Sequence, residues 1–308
     1  MKELITMWNN TRMIVLTAVV AAVYAAVLIP FKVAVPIIPG FTEVRPGNVI
    51  PIVCSLMFGP AGAWGSAIGN TIADAFGTFG PGTFFGFIGN FLLGLIPYKM
   101  WRALGKGEPV AGSRRSTTMS IVIALVIGSV IALYYAAFTE SSAIFIALIP
   151  LAAVVSVFLV LRFLSIRYFL IIFSASAACG LFIGWGVHVL GLVPFPALAN
   201  IIVLNNLVAT AVLGPILLPV LYPVVKRMGL LYTDVMEEGE LSQPRAWGSV
   251  VLIIVIVVGL LVGNLITIGG YNLSALGAGF GQAVVGQSSL GLGLAPFILL
   301  MLIVAVLM

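Results

Sequence analysis

Residues 13–30 read MIVLTAVVAAVYAAVLIP and carry no charged side chain. A run of this length is close to the ~20 apolar residues that a helix needs to cross the hydrocarbon of a bilayer. The composition extends the argument to the whole chain. Hydrophobic residues make up 62% of it and charged residues 7%, against about 25% charged in a soluble domain. No soluble fold hides that much apolar surface, so the chain reads as an all-α polytopic membrane protein. The first run is longer than a signal-peptide core and lacks a small-x-small cleavage site, so it reads as a retained first helix.

Apolar segments recur at 12–35, 47–59, 61–77, 82–104, 117–138, 141–163, 168–190, 197–225, 246–268 and 289–308, which predicts about ten membrane segments. The second and third are short and are divided by Gly59-Pro60. They read as a tight helical hairpin or a re-entrant pair. Charge sets the orientation. With the N-terminus in the cytoplasm, Lys2, Arg12, Lys99, Arg102, Lys106, Arg114, Arg115, Arg162, Arg167, Lys226, Arg227 and Arg245 fall inside, and only Lys32 and Arg45 fall outside. That bias follows the positive-inside rule and places both termini in the cytoplasm. The expected location is the cell membrane.

Two polar stretches, 104–116 and 226–245, read as cytoplasmic linkers. Five parts follow: 1–104, an inserted helical hairpin at 105–167, two helices at 168–228, a linker at 229–245, and a C-terminal hairpin at 246–308. The outer stretch 269–288 is Gly-rich and uncharged, and its GAGFG has no preceding strand to make it a dinucleotide fingerprint.

Several chemistries are disfavoured. A single histidine, two isolated cysteines (Cys54 and Cys179), and no HExxH, GxSxG or P-loop leave no expected metal site or cofactor and argue against an enzyme. The basic residues lie in short loops without interleaved aromatics, so no nucleic-acid surface is expected. No ATP-binding signature, internal repeat or midplane carboxylate is evident. Uphill movement of a solute would then draw on a partner or on an ion gradient.

What remains is polar chemistry at one depth. Asn70 and Asp74 lie one helical turn apart on one face. Asn90, Trp185, His188, Asn200, Asn205 and Asn206 fall in the outer halves of their segments. Glu43, Arg45 and Asn48 sit in the first outer loop, GFTEVRPGN. Polar groups in a bilayer are costly unless they face a cavity or each other. Their coincidence suggests an outward-facing pocket for a small polar ligand, with Trp64, Trp185, Phe84 and Phe85 as stacking surface. Each residue also has a plainer reading. An Asn can bridge two helices, Trp185 can anchor the interface, His188 can cap a helix, and Glu43 with Arg45 can be a solvated loop pair. Asp74 needs a partner, for which Arg45 and Lys32 are the candidates. Ala18, Ala22 and Ala26 recur every four residues, a groove for another helix either within this chain or in a separate subunit.

The alanine-rich first helix, the polar outer loop, SLMFGPAGAWGSAIGNTIADAF, and ANIIVLNNLVATAVLGPILLPVLYPVVKR together resemble the S components of energy-coupling factor (ECF) transporters. The resemblance covers 12–104 and 168–228. It implies a six-helix core that captures a vitamin-like ligand from outside. It further implies two partners, a transmembrane subunit and a pair of cytoplasmic ATPases, and assigns Ala18, Ala22 and Ala26 to docking. The candidate ligand residues are Glu43, Arg45, Asn48, Asn70, Asp74, Asn90, Trp185, His188, Asn200 and Asn205. Two hairpins beyond the six-helix pattern set this chain apart. It lacks the His-rich N-terminus of the cobalt and nickel branch, which favours an organic ligand. A self-sufficient secondary transporter or channel is the alternative reading, and a membrane enzyme the third.

Overall fold

The computed structural model describes residues 2–104, 125, 165–243, 245–268 and 288–308. The predicted segments 117–138 and 141–163, most of the first linker, and the Gly-rich outer stretch lie outside the described residues. The chain divides into two compact units, Met1–Pro109 with Ile171–Met308, and Val110–Leu170. The description below concerns the first.

Its helices are α1 (Lys2–Thr6), α2 (Thr11–Ala34), α3 (Val49–Phe58), α4 (Pro60–Asp74), α5 (Gly82–Leu104), α6 (Ile166–Val189), α7 (Phe195–Arg227), α8 (Tyr232–Val235), α9 (Ala246–Ile268) and α10 (Ser288–Leu307). Among the described residues, five helical stretches, beginning at Thr11, Ile166, Phe195, Ala246 and Leu290, are long and apolar enough to cross a membrane. The protein is thus a mostly helical, multi-pass membrane protein. Among the described residues one small antiparallel hairpin, β1 (Pro36–Ile38) with β2 (Thr42–Glu43), lies in the loop between α2 and α3.

α2 starts where Asn10 caps it, its side chain accepting from the N–H groups of Arg12 and Met13 at 3.0 and 3.4 Å. Such a cap stabilises a helix by about 1 kcal/mol. Leu16, Val20, Ala21, Tyr24, Ala25 and Leu28 repeat at three and four residues and face the core. Ala18, Ala22 and Ala26, with Val15, Val19 and Val23, occupy the opposite, exposed face. Both faces are apolar, as a helix between protein and lipid requires.

Glycine lets α4 lie against α2. A Cβ on Gly65 would come within 2.6 Å of Val20 Cβ, and one on Gly69 within 2.7 Å of the Ala21 carbonyl oxygen. Close backbone approach is the usual basis of helix packing in membranes. Gly59 separates α3 from α4 at φ 55°, a conformation glycine takes without strain, and Pro60 then opens α4. With ten residues, α3 is about 15 Å long and reaches only about half of a 30 Å hydrocarbon layer. α7 is 33 residues, about 50 Å, and outreaches that layer.

The two ends of this unit differ in chemistry. At one end Tyr232 packs on Gly59, and Lys99 pairs with Glu3 and with Ser242 Oγ at 2.7 Å. Burial alone would raise the Glu3 carboxyl. Hydrogen bonds from Lys99 and Ser242 more than offset that and hold it at about 2. At the other end the α2–α3 loop, the α4–α5 connection and the α6–α7 connection converge.

Candidate functional site

These three connections and the helix ends beneath them enclose a cavity of about 350 Å³. Its polar wall begins with a closed circuit of charge. Arg45 Nε lies 2.9 Å from Glu43 Oε1, and its guanidinium donates to Asn70 Oδ1 at 3.2 Å. Asn70 Nδ2 donates to Asp74 Oδ2 at 3.0 Å. Lys32 Nζ donates to Asp74 Oδ1 at 2.6 Å and to Thr78 Oγ1 at 2.7 Å, and it lies 3.7 Å from Glu43 Oε1, which closes the circuit. Two cations balance two carboxylates. The side chains of Lys32, Glu43 and Asp74 are at most 7% exposed and that of Arg45 is 12% exposed. Charges so withdrawn from solvent persist only when paired.

A second polar group lies beside it. Tyr24 Oη reaches Asn48 Oδ1 at 2.6 Å and Asn90 Oδ1 at 2.9 Å, and Asn48 Nδ2 donates to Asn206 Oδ1. Gly86 leaves room at this wall, since a Cβ there would stand 3.1 Å from Asn70 Nδ2. The lining also includes the apolar Ile183, Val187, Leu198 and Ile202. A cavity lined by both hydrogen-bonding and aliphatic side chains suits a small ligand with polar and apolar surface.

Five of the ten candidate ligand residues line this cavity, Arg45, Asn48, Asn70, Asp74 and Asn90, and so does Asn206, noted from sequence among the polar groups of the same depth. Glu43 stands behind Arg45 and is buried, so the pair is not a solvated loop contact. Asn205 also stands behind the wall. It donates to the Glu43 carbonyl at 2.6 Å and accepts from the Arg45 N–H at 3.1 Å, which ties the outer loop to α7. Of the two cations offered as partners for Asp74, Lys32 takes it, and Arg45 turns to Glu43 and Asn70.

Three candidates do not line the cavity, because helical phase turns them elsewhere. Trp185 Nε1 donates to the Gly291 carbonyl at 3.1 Å, and Asn200 pairs with Asn264 at 2.7 Å, so both face the C-terminal hairpin. His188 Nδ1 accepts from the Phe195 N–H at 3.2 Å and caps α7. Trp64 sits at the opposite end, donating to the Leu4 carbonyl at 3.0 Å. The wall also contains Thr78 and Cys179, which the sequence reading did not assign to it, and Tyr24 stands just behind it. Asn205 and Asn206 are adjacent and differ by one step of helical phase, which spacing alone does not resolve. Tyr24 left a faint signal, as a hydroxyl on the otherwise mostly aliphatic inner face of α2. Among the described residues no group of three metal-ligating side chains occurs.

The multi-pass helical fold and the charge-balanced cavity at one end fit a membrane protein that binds a small solute. Residues 14–149 match the sequence model of the QueT transporter family. That family is one of ECF-type S components, so the match bears out the resemblance read from the first helix and the GP-turn stretch. No curated protein and no solved structure matches the chain.

Proposed function

We propose that this chain is a membrane-embedded substrate-binding subunit for uptake of a small organic micronutrient, energised by partner ATPases of an ECF-type module. One observation carries the reading: a charge-balanced cavity with both hydrogen-bonding and aliphatic lining, at the end where Lys32 closes α2 and the following loop carries Arg45. At about 350 Å³ it stands at the small end of ligand pockets, the size of a mono- or bicyclic heterocycle. The family match supports a queuosine precursor, a flat nitrogen-rich base, as the ligand in this reading. In this reading Arg45, Asn48, Asn70, Asp74 and Asn90 contact ligand. Glu43 and Asn205 position the outer loop over it. The exposed Ala18, Ala22 and Ala26 face takes the transmembrane partner.

The topology proposed with it has ten membrane segments and both termini in the cytoplasm. Residues 1–104 and 168–228 form the six-helix core. The 105–167 hairpin, the 229–245 linker and the 246–308 hairpin are additions. Binding to the purified chain alone, measured by isothermal titration calorimetry with queuosine-precursor bases, tests the central point. Uptake into vesicles is expected only when ATPase partners and ATP are present. Transport by the chain alone under an ion gradient would favour the secondary-transporter alternative and sink this reading.

A further inference from the structure

The C-terminal hairpin lies outside the proposed six-helix core, yet it meets the edge of the cavity at the α6–α7 connection. Gly191 ends α6 at φ 74°, a conformation that favours glycine. Its N–H donates to the His188 carbonyl at 2.9 Å, and the Leu192 N–H donates to the Val187 carbonyl at 3.2 Å. This pair of bonds is the Schellman helix end, in which apolar side chains on either side of the turn commonly meet. Here those positions are Val187 and Leu192. Both line the cavity, as does Leu198 in the first turn of α7.

Two contacts hold this turn. His188 Nδ1 accepts from the Phe195 N–H at 3.2 Å, which satisfies one of the donors that a helix start leaves open. The Phe195 ring is fully buried, and its seat is Gly263 of α9. A Cβ on Gly263 would stand 2.5 Å from Phe195 Cε1 and 3.0 Å from Leu294 Cδ1 of α10. Glycine at 263 therefore lets the ring lie against the α9 backbone. One turn away, Gly259 is packed more loosely: a Cβ there would stand 3.0 Å from Leu181 Cδ2 and 3.3 Å from Phe297 Cβ. Phe195, Leu181 and Phe297 all lie outside the cavity lining.

We propose that Phe195 is a positioning residue for ligand binding, and that the C-terminal hairpin belongs to the binding apparatus through it. Gly263 seats the ring, the ring and His188 fix the start of α7, and the turn between them sets where Val187, Leu192 and Leu198 stand in the cavity. This rests on the reading of the cavity as the solute site. A misfit of one methylene in an apolar pocket is worth about 10–200-fold in discrimination, so a small displacement of these three side chains is large enough to measure.

The test is calorimetric titration of the full chain in detergent with a queuosine-precursor base, well below the melting temperature of every variant. Gly263→Ala pushes on the ring and is expected to weaken binding about tenfold or more. Gly259→Ala, in the same helix, is expected to bind within about threefold of wild type, because its neighbours need yield only slightly. Phe195→Leu removes the seated ring and is also expected to weaken binding about tenfold; it only deletes atoms, so it serves where Gly263→Ala fails to fold. In Gly263→Ala/Phe195→Leu the added methyl takes up space the ring vacates, and affinity is expected to return to within about threefold of wild type. Either single variant at position 263 or 195 binding as wild type does, a double variant no tighter than the single ones, or equal weakening by Gly259→Ala overturns the positioning role and leaves the cavity reading intact. A wild type that binds no queuosine-precursor base overturns both.

Discussion

Replacing Lys32 with methionine removes one of the two cations in the buried circuit. Lys32→Met keeps the length and apolar stem of the side chain but deletes contacts to Asp74 Oδ1, Thr78 Oγ1 and Glu43 Oε1 at 2.6, 2.7 and 3.7 Å. Two carboxylates are left facing the single guanidinium of Arg45, which touches only Glu43 of the two. Removing one partner of a buried pair costs about 3–5 kcal/mol, most of it the cost of the uncompensated charge. At about 2–4 °C per kcal/mol for a chain of this order, the melting temperature of the detergent-solubilised protein is expected to fall by roughly 6–20 °C. The double variant Lys32→Met/Asp74→Asn restores neutrality and is expected to recover most of that loss, because a buried pair replaced whole is often nearly neutral. Thermal unfolding of the wild type, both single variants and the double variant closes the cycle. A Lys32→Met melting temperature within about 2 °C of wild type, or a double variant less stable than Lys32→Met, would refute the buried-charge argument.

Glu3 supplies a pH signature at the other end. Its folded-state carboxyl is held near 2 against an ordinary 4.5, so its contribution is present above about 4.5 and is lost as pH falls toward 2. Glu3→Gln is therefore expected to show a shallower loss of thermal stability than wild type between pH 5 and pH 3. Gly69→Ala places a methyl 2.7 Å from the Ala21 carbonyl oxygen and should cost about 1–3 kcal/mol by forcing α4 from α2, whereas Gly239→Ala meets nothing within 4 Å and serves as the control in the same melt. Ala22→Leu enlarges the exposed face of α2. Binding and melting temperature are expected to hold while ATP-dependent uptake with partner subunits falls, and unchanged uptake would argue against docking there.

The helices were legible because lipid imposes the constraint that sequence shows best, long uncharged runs ended by charge, glycine or proline. α2, α5, α9 and α10 fall within a residue or two of their expected bounds. The small β1–β2 hairpin was not legible, since PII and TE are too short to show alternation. The site was half legible. Depth can be counted along a segment, so the polar groups were expected together near one end. Phase around a long helix is a different quantity. α7 is apolar nearly all round, which gives no hydrophobic stripe from which to orient Asn200, Asn205 and Asn206. The three face the C-terminal hairpin, the outer loop and the cavity respectively.

The division of labour along α2 links packing to chemistry. On its inner face Ala21 admits Gly69, and this close approach brings Tyr24 and Lys32 to the wall that α4 completes with Asn70 and Asp74. A larger residue at position 69 would push α4 outward and lengthen the Lys32–Asp74 contact, so a packing change should reach the cavity as a change in charge balance. The outer face of the same helix carries alanine and valine and takes part in none of these contacts. Substitutions on the inner face are therefore expected to alter stability and ligand binding together. Those on the outer face should alter neither. A Gly69→Ala variant that loses stability yet binds ligand with wild-type affinity would show that the cavity wall is buffered from the α2–α4 spacing.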